Sequence, residues 1–579
     1  MKKILKLLGK KDWSFVALSI VLIVGQVWLD LTMPDYMNKI SKILLTTGNV
    51  KEITINGIYM LLLALGSLAL SIAVGYLTAK VAASLGQKLR NAIYSKVSSF
   101  SKAEISRFST SSLITRSTND SQQITFLVGM GLQVLVKAPI MAVWGIIKIL
   151  GKSWQWSVLT VCAVVFLLLV ITTIMLLCIP KFKVVQKQTD DINRVTRENL
   201  TGIRIIHAFN AEEYAENKFE KVNNNLTRTQ TFTSKTMAFM NPTMNFVIGM
   251  TSMLIYWIGA LVISRAGLIE TKLILYTDMA VFLEYAMRII SSFVMLVMIF
   301  MMMPRAMVSL KRIGEVLDTN STISDGQGAL GLDEGVVEFK NVSFKYPDGK
   351  ENVLSDINIK INKGETVAFI GATGCGKSTL IDLVPRFYDA TEGEVLVGGV
   401  NVKDYTLEQI HSKVGYVSQK AILLSGTVFD NVTMGHDIEP NDVVNAIKYS
   451  EAKEFVEKME GKENAQIYQG GKNISGGQKQ RLSIARAIAK KPEIMIFDDS
   501  FSALDYKTDK KLRKTLNKEF KGITCLIVAQ RIGTIRDADK IVVLDKGKIV
   551  GMGKHDELMQ GCKVYQEIAL SQLSEEELR

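Results

Sequence analysis

Gly371-Ala372-Thr373-Gly374-Cys375-Gly376-Lys377-Ser378-Thr379 carries the spacing G-x-x-x-x-G-K-[ST], and its residue types suit one task, holding a polyphosphate. The glycines leave room for backbone N–H groups to close around a phosphate. Lys377 can reach the β- and γ-phosphates, and Ser378 supplies a hydroxyl for Mg²⁺. A second anion-attracting stretch is Ile474-Ser475-Gly476-Gly477-Gln478, which opens a helix whose N-terminus carries positive dipole. Asp498 closes the apolar run Ile494-Met495-Ile496-Phe497, as a carboxylate that holds Mg²⁺ beside such a loop would. Asp499 follows it directly. Gln419 and Gln530 each come just after an apolar strand-like run.

These groups need a scaffold. Glu365–Ile370 reads as a buried strand before the glycine loop, and Leu380–Leu383 as the start of a helix after it. Strand, loop and helix together are the context the spacing requires. Val337–Lys340 and Val342–Tyr346 alternate as strands do, and Tyr346 could stack on an adenine or pack at a strand edge. The last 250 or so residues therefore read as an α/β nucleotide-binding domain.

The first part of the chain is different. Of 579 residues, 48% are hydrophobic, the mean hydropathy is +0.20, and the apolar excess lies before about residue 310. Runs long enough to span a bilayer fall at Trp13–Met33, Ile58–Leu77, Phe126–Leu150, Trp154–Cys178, Met240–Ile263 and Leu275–Met303. Lys2, Lys3, Lys6, Lys10 and Lys11 precede the first run. It is too long for a signal-peptide core and has no cleavage site after it, so it reads as an uncleaved span starting in the cytoplasm. Six spans put both termini there. The cationic segments after the second and fourth spans agree, and the short connections near Gly151 and Gly267 face outward. The net charge of +13 is thus a property of inner loops rather than of a nucleic-acid surface. The five cysteines form no C-x-x-C pair, which gives no disulfide framework and no zinc site.

The two long inner loops read as helical extensions of the second with the third span and of the fourth with the fifth. Each pair meets in a short connecting helix, at Arg107–Asp120 and Gly202–Phe209. The organisation is then a six-helix transmembrane domain over residues 1–318, a linker over 319–335 and the α/β P-loop domain over 336–579. Within the spans, Glu284 and Arg288 stand at i, i+4 and can pair, either lining a polar cavity or tying helices together. Asp30 and Lys137, within or at the edge of spans, read as interhelical pairing or as snorkelling at the span ends rather than as cavity groups. Met295, Met298, Met301, Met302 and Met303 give the last span a flexible apolar surface that suits varied substrates, or ordinary core filling.

Taken together, the glycine loop, Ser-Gly-Gly-Gln before an Asp-ended strand, and six spans ahead of one such domain resemble the ATP-binding cassette (ABC) transporters over nearly the whole chain. The type is that of a half-transporter of type I exporter fold. Glu198–Arg204 with Ala208-Phe209-Asn210 resembles the second inner loop of bacterial exporters. The resemblance implies ATP and Mg²⁺, with Tyr346 stacking on adenine and Ser378, Gln419 and Asp498 serving the metal. It also implies Ile474–Gln478 as the signature and Asp505, in Ser502-Ala503-Leu504-Asp505, as part of the loop communicating across a dimer. His555 matches a tail motif and is not the catalytic histidine. In this family two such domains face each other, each ATP lying between one glycine loop and the other domain's signature, so a second chain is implied. The resemblance also implies a location in the bacterial cytoplasmic membrane.

Two positions depart from that pattern. The family's general-base Glu is here Asp499, one methylene shorter, and its γ-phosphate histidine is here Gln530, which cannot be protonated near neutral pH. Gln469-Gly470-Gly471 also replaces a usually acidic stretch. The signature stays intact apart from Ile474 in place of Leu. The pattern resembles the degenerate-site subunit of heterodimeric multidrug exporters. Alternatives are a homodimeric exporter or lipid flippase in which Asp499 suffices as base, and a membrane-anchored ATP-dependent regulator.

Overall fold

The computed structural model describes residues 6–150, 154–331 and 333–572. Lys2, Lys3 and Gly151, and the side chains of Met298 and Met301, lie outside the described residues. The chain divides into two compact units, one of residues 1–98 with 111–319, the other of 99–110 with 320–579.

The first unit is helical. Its elements, with the short connecting helix that belongs to the other unit, are α1 (Lys10–Thr46), α2 (Val50–Ser98), α3 (Lys102–Phe108), α4 (Thr110–Leu150), α5 (Trp154–Thr201), α6 (Ile203–Ala208), α7 (Glu212–Arg265) and α8 (Ile269–Asp318). Six of these helices are long and apolar enough to cross a membrane. At 49 residues, α2 is about 74 Å long for a rise of ~1.5 Å per residue. The hydrocarbon core is only roughly 30 Å thick, so α2 runs well outside it, as the polar periodicity of the inner loops predicts. α1 packs along α2, α4 along α8, and α5 along α7. Trp156, Phe282 and Tyr285 are the largest fully buried side chains of this unit.

The second connecting helix, α6, falls within the expected Gly202–Phe209. The first does not match the expected Arg107–Asp120. It is α3, earlier in the chain, opened by a capping box in which the Ser101 hydroxyl accepts from Ala103 N and Glu104 returns to Ser101 N. Ser109, at φ +57, ends it. Residues 110–120 already belong to α4 and include a π-helical turn at Arg116–Asp120. That turn is held from α8: Ser309 Oγ donates to Asp120 Oδ1 at 2.9 Å, and Arg116 pairs with Glu315 at 3.0 Å.

In the second unit, β1 (Val337–Phe344), β2 (Leu354–Ile361), β4 (Glu392–Val397) and β5 (Val400–Asn401) form an antiparallel sheet in the order β2-β1-β4-β5. The larger sheet runs β12-β11-β3-β10-β9-β6, with β3 (Thr366–Ile370), β6 (Val414–Val417), β9 (Ile494–Asp498), β10 (Thr524–Val528), β11 (Lys540–Asp545) and β12 (Lys548–Gly553). All neighbours in it are parallel except β11 and β12, and β7 (Gly426–Thr427) pairs antiparallel with β8 (Gln466–Ile467) in a separate two-stranded ribbon. β9 is buried at every residue, as a strand covered on both faces must be. The Val337–Tyr346 region is one bulged strand rather than two, and Tyr346 lies beyond its end.

Candidate functional site

Three adjacent parallel strands bring the chemistry together. Val528 of β10 stands opposite Phe369 of β3 on one side and Asp498 of β9 on the other. The glycine loop after β3, the acidic pair at the end of β9 and Gln530 after β10 therefore emerge at one edge, the carboxyl ends of the strands, where ligands of open α/β sheets bind.

The loop's backbone accounts for its glycines. A Cβ on Gly371 would stand 2.1 Å from Leu544 O. Gly376 has φ +102, and a Cβ there would meet Leu354 Cδ2 at 2.7 Å. The helix Lys377–Asp382, here α9, follows at once, three residues earlier than Leu380. Ala372, Thr373 and Gly374 form the exposed crest, while Cys375, Gly376, Lys377 and Thr379 are buried. The Lys377 ammonium donates to Gly371 O and Ala372 O, each at 2.9 Å, and so sits over the loop. Thr379 Oγ1 lies 2.8 Å from Tyr346 OH, and the Tyr346 ring meets Phe344 and Tyr388 edge-on.

Ser378 Oγ donates to Asp498 Oδ1 at 2.6 Å, so a hydroxyl and a carboxylate converge beside the loop. That donor set fits Mg²⁺, a hard cation that takes one or two protein oxygens with substrate phosphates and waters completing its shell. Gln419 stands with the neighbouring residue instead. Its Nε2 donates to Asp499 Oδ2 at 3.1 Å, and Gln530 Nε2 donates to the same oxygen at 2.9 Å. Asp499 has φ +45, a left-handed conformation that a non-glycine residue adopts at a cost. Its carbonyl accepts from the Ser502 hydroxyl at 2.8 Å. Burial pushes the carboxyls of both Asp498 and Asp499 above the usual carboxylate range, against the hydrogen bonds from Ser378 and Gln419 that pull them back.

The signature opens the helix Gly476–Ala489, here α10. Ser475 and Gln478 cap each other: Gln478 N donates to Ser475 Oγ at 3.3 Å, and Ser475 N to Gln478 Oε1 at 2.8 Å. Ser475 and Gly476 are exposed, and Ile474 packs on the core. Gly477 lies against the 502–505 loop, where a Cβ would be 3.3 Å from Ala503 O. Asp505 caps the following helix through Thr508. His555 is buried, with Nδ1 2.7 Å from Tyr565 OH. Gly470 and Gly471 both adopt positive φ, at +68 and +65.

Two residues beside the metal pair carry no spacing signal. Asp382, in the apolar run Leu380–Val384, and Tyr416, inside β6, meet at 3.1 Å, and Tyr416 OH is 3.4 Å from Asp498 Oδ2. A lone carboxylate in an apolar run was the only available hint. In the helical unit, Glu284 and Arg288 pair at 3.0 Å. Lys137 reaches Asp30 at 3.1 Å, and Ser67 Oγ donates to the same carboxylate at 2.5 Å.

Comparison with known proteins agrees with this construction. The profile of the ABC transporter transmembrane region matches residues 16–285, and that of the ABC transporter domain matches residues 354–502. An uncharacterized ABC transporter ATP-binding protein of Mycobacterium tuberculosis is 38% identical over 86% of this chain and 85% of its own length. Another, YfiB of Bacillus subtilis, is 31% identical over 100% of this chain and 99% of its own. The solved structure of a bacterial Atm1-family ABC exporter with ATP bound superposes with a TM-score of 0.81 at 20% identity, covering 96% of this chain and 98% of that one, which establishes a shared fold. With a glycine loop, a metal-suited Ser–Asp pair and a capped Ser-Gly-Gly-Gln helix behind six membrane-spanning helices, the chain belongs to the ABC transporters and has the exporter fold.

Proposed function

We propose that this chain is one subunit of a heterodimeric exporter that moves amphipathic or hydrophobic compounds out across the bacterial cytoplasmic membrane, with both termini in the cytoplasm. Its own nucleotide site holds ATP and turns it over slowly. Its signature, Ile474–Gln478, completes the catalytic site of a partner half-transporter. The observation that carries this reading is the double amide contact on Asp499 Oδ2. A general base must present an oxygen to water, and this one is already committed to two donors on a side chain one methylene short.

In this reading Tyr346 is the adenine platform, Lys377 and the loop N–H groups hold the phosphates, and Ser378 and Asp498 hold Mg²⁺. Bound there, Mg²⁺ supplies charge neutralisation for the β- and γ-phosphate oxygens. Asp505 and its loop face the partner. Amphipathic cargo is supported by the apolar, Met-containing α8 and its Glu284–Arg288 pair. It is supported also by a relative, the putative multidrug export ATP-binding/permease protein YgaD of Bacillus subtilis, 40% identical over 44% of this chain and 44% of its own length.

A second reading, a homodimeric lipid flippase, draws on the ATP-dependent lipid A-core flippase of Francisella tularensis, 30% identical over 86% of this chain and 83% of its own length. The test is to purify the chain alone and together with a half-transporter bearing Glu and His at the matching positions. Heterodimer turnover that is lost when the partner's Glu is replaced by Gln, and kept with Asp499→Asn here, supports the heterodimer. Appreciable hydrolysis by this chain alone that disappears with Lys377→Ala refutes the slow site.

A further inference from the structure

The connecting helix α3 clusters with the nucleotide-binding unit. It is anchored there by the buried Glu104, whose Oε1 accepts from Thr322 N at 3.2 Å. From its first turn Lys102 extends its ammonium to Asp382 Oδ2 at 2.6 Å, passing over the rings of Phe387 and Tyr388 at 5.7 and 5.8 Å. Asp382 is only 3% exposed. Its other oxygen accepts from Tyr416 OH, and the same hydroxyl lies 3.4 Å from Asp498 Oδ2, while Asp498 Oδ1 is taken by Ser378. A continuous polar path therefore joins Lys102, Asp382, Tyr416, Asp498 and Ser378.

The centre of the path is bistable. A phenol has one proton, and here it stands between two buried carboxylates. It can serve either one well and the other poorly. A buried carboxylate with no counter-charge is the stronger competitor for that proton. With Lys102 seated, Asp382 has a cation, and the phenol proton is available to Asp498. With Lys102 withdrawn, Asp382 claims the proton, and Asp498 faces a phenolic lone pair and an uncompensated negative neighbour.

We propose that Lys102 is a positioning residue for the metal-binding carboxylate: by offsetting Asp382 it sets which carboxylate the Tyr416 hydroxyl serves, and so how readily Asp498 accepts Mg²⁺ with ATP. The inference rests on reading Ser378 and Asp498 as the Mg²⁺ pair.

The test uses the full-length chain in lipid nanodiscs and a fluorescent ATP analogue titrated with Mg²⁺, a binding measurement that needs no turnover. Lys102→Met leaves an uncompensated negative charge on Asp382 beside Asp498 and so lowers the Mg²⁺ concentration for half-maximal binding about tenfold, within the usual range of coupling between sites, and leaves metal-free binding in EDTA unchanged. Lys102→Arg retains the wild-type value. Asp382→Asn added to Lys102→Met removes the charge that needed offsetting and returns the Mg²⁺ dependence toward wild type, which loss of folding would not do. If Lys102→Met shifts the half-maximal Mg²⁺ less than twofold while Asp498→Asn shifts it strongly, the relay is wrong and the metal pair stands. Failure of Asp382→Asn to rescue also overturns the relay. If Asp498→Asn has no effect, the metal pair itself is wrong.

Discussion

Restoring the two departing residues gives the sharpest test of the slow site. Asp499 Oδ2 accepts from Gln530 at 2.9 Å and from Gln419 at 3.1 Å. A hydrogen bond to a charged group is worth about 1.5–3 kcal/mol, so turning this oxygen to a water forfeits about 3–6 kcal/mol. At ~1.4 kcal/mol per decade that is roughly 10²–10⁴ in rate, the span that general-base catalysis ordinarily contributes. Asp499→Glu with Gln530→His lengthens the carboxylate and removes one of its two amide ties. Single-turnover hydrolysis of preloaded ATP by the full-length chain in nanodiscs then rises about 10²-fold, the low end of that range because Gln419 remains. Asp499→Glu alone rises less than tenfold, since the longer carboxylate still meets both amides. Adding Lys377→Ala abolishes the gain and assigns it to this loop. The reasoning is refuted if the wild-type chain already hydrolyses at an ordinary enzymatic rate, or if the double variant gains no more than Asp499→Glu does.

Three further outcomes follow from the geometry. Gly376→Ala forces a side chain into φ +102 and within 2.7 Å of Leu354, so nucleotide-analogue binding falls below detection while α-helical circular dichroism stays near wild type. Asp30→Ala leaves Lys137 without its carboxylate in the helical unit and costs about 3–5 kcal/mol, the penalty for breaking a buried pair, whereas Asp30→Leu with Lys137→Met costs far less; thermal unfolding in detergent separates the two. Glu284→Ala, which removes the partner of Arg288, changes the ranking of dyes in an inverted-vesicle transport panel more than it changes basal ATPase; equal loss of both indicates a structural tie.

What was legible before the structure is what depends on nearby residues. The glycine spacing at 371–379 and the apolar run into Asp498 declare themselves because a tight loop and a doubly covered strand each impose a local rule. The six spans do so because lipid leaves few alternatives to long apolar helices. The position of α3 is legible too, in the Ser101–Glu104 capping box, which puts the helix start ahead of Arg107. By contrast, the π-turn at Arg116–Asp120 is fixed by Ser309 and Glu315, nearly two hundred residues away. No local pattern contains that. The same holds for Tyr416, which the parallel pairing of β6 with β9 brings to Asp498, and for Asp382, which the helix after β3 carries to Tyr416.

The two departures from the family pattern are single residues 31 positions apart, and in the sequence they are independent. In the fold they are one contact. β9 and β10 run side by side, with Val528 opposite Asp498, so the residues just past both strand ends must meet. The Asp499 carboxylate stands within reach of the Gln530 amide, which donates to it at 2.9 Å. Either change alone keeps a donor on the carboxylate: Glu beside Gln530 would still be tied by the amide, and Asp beside a histidine would be tied by an imidazole that can also turn toward phosphate. Together they satisfy each other, with Gln419 as the second donor. A site degraded by drift would be expected to leave buried polar groups unpaired. Here Asp499 Oδ2 accepts from both Gln419 and Gln530, so the shorter carboxylate is held by two defined donors.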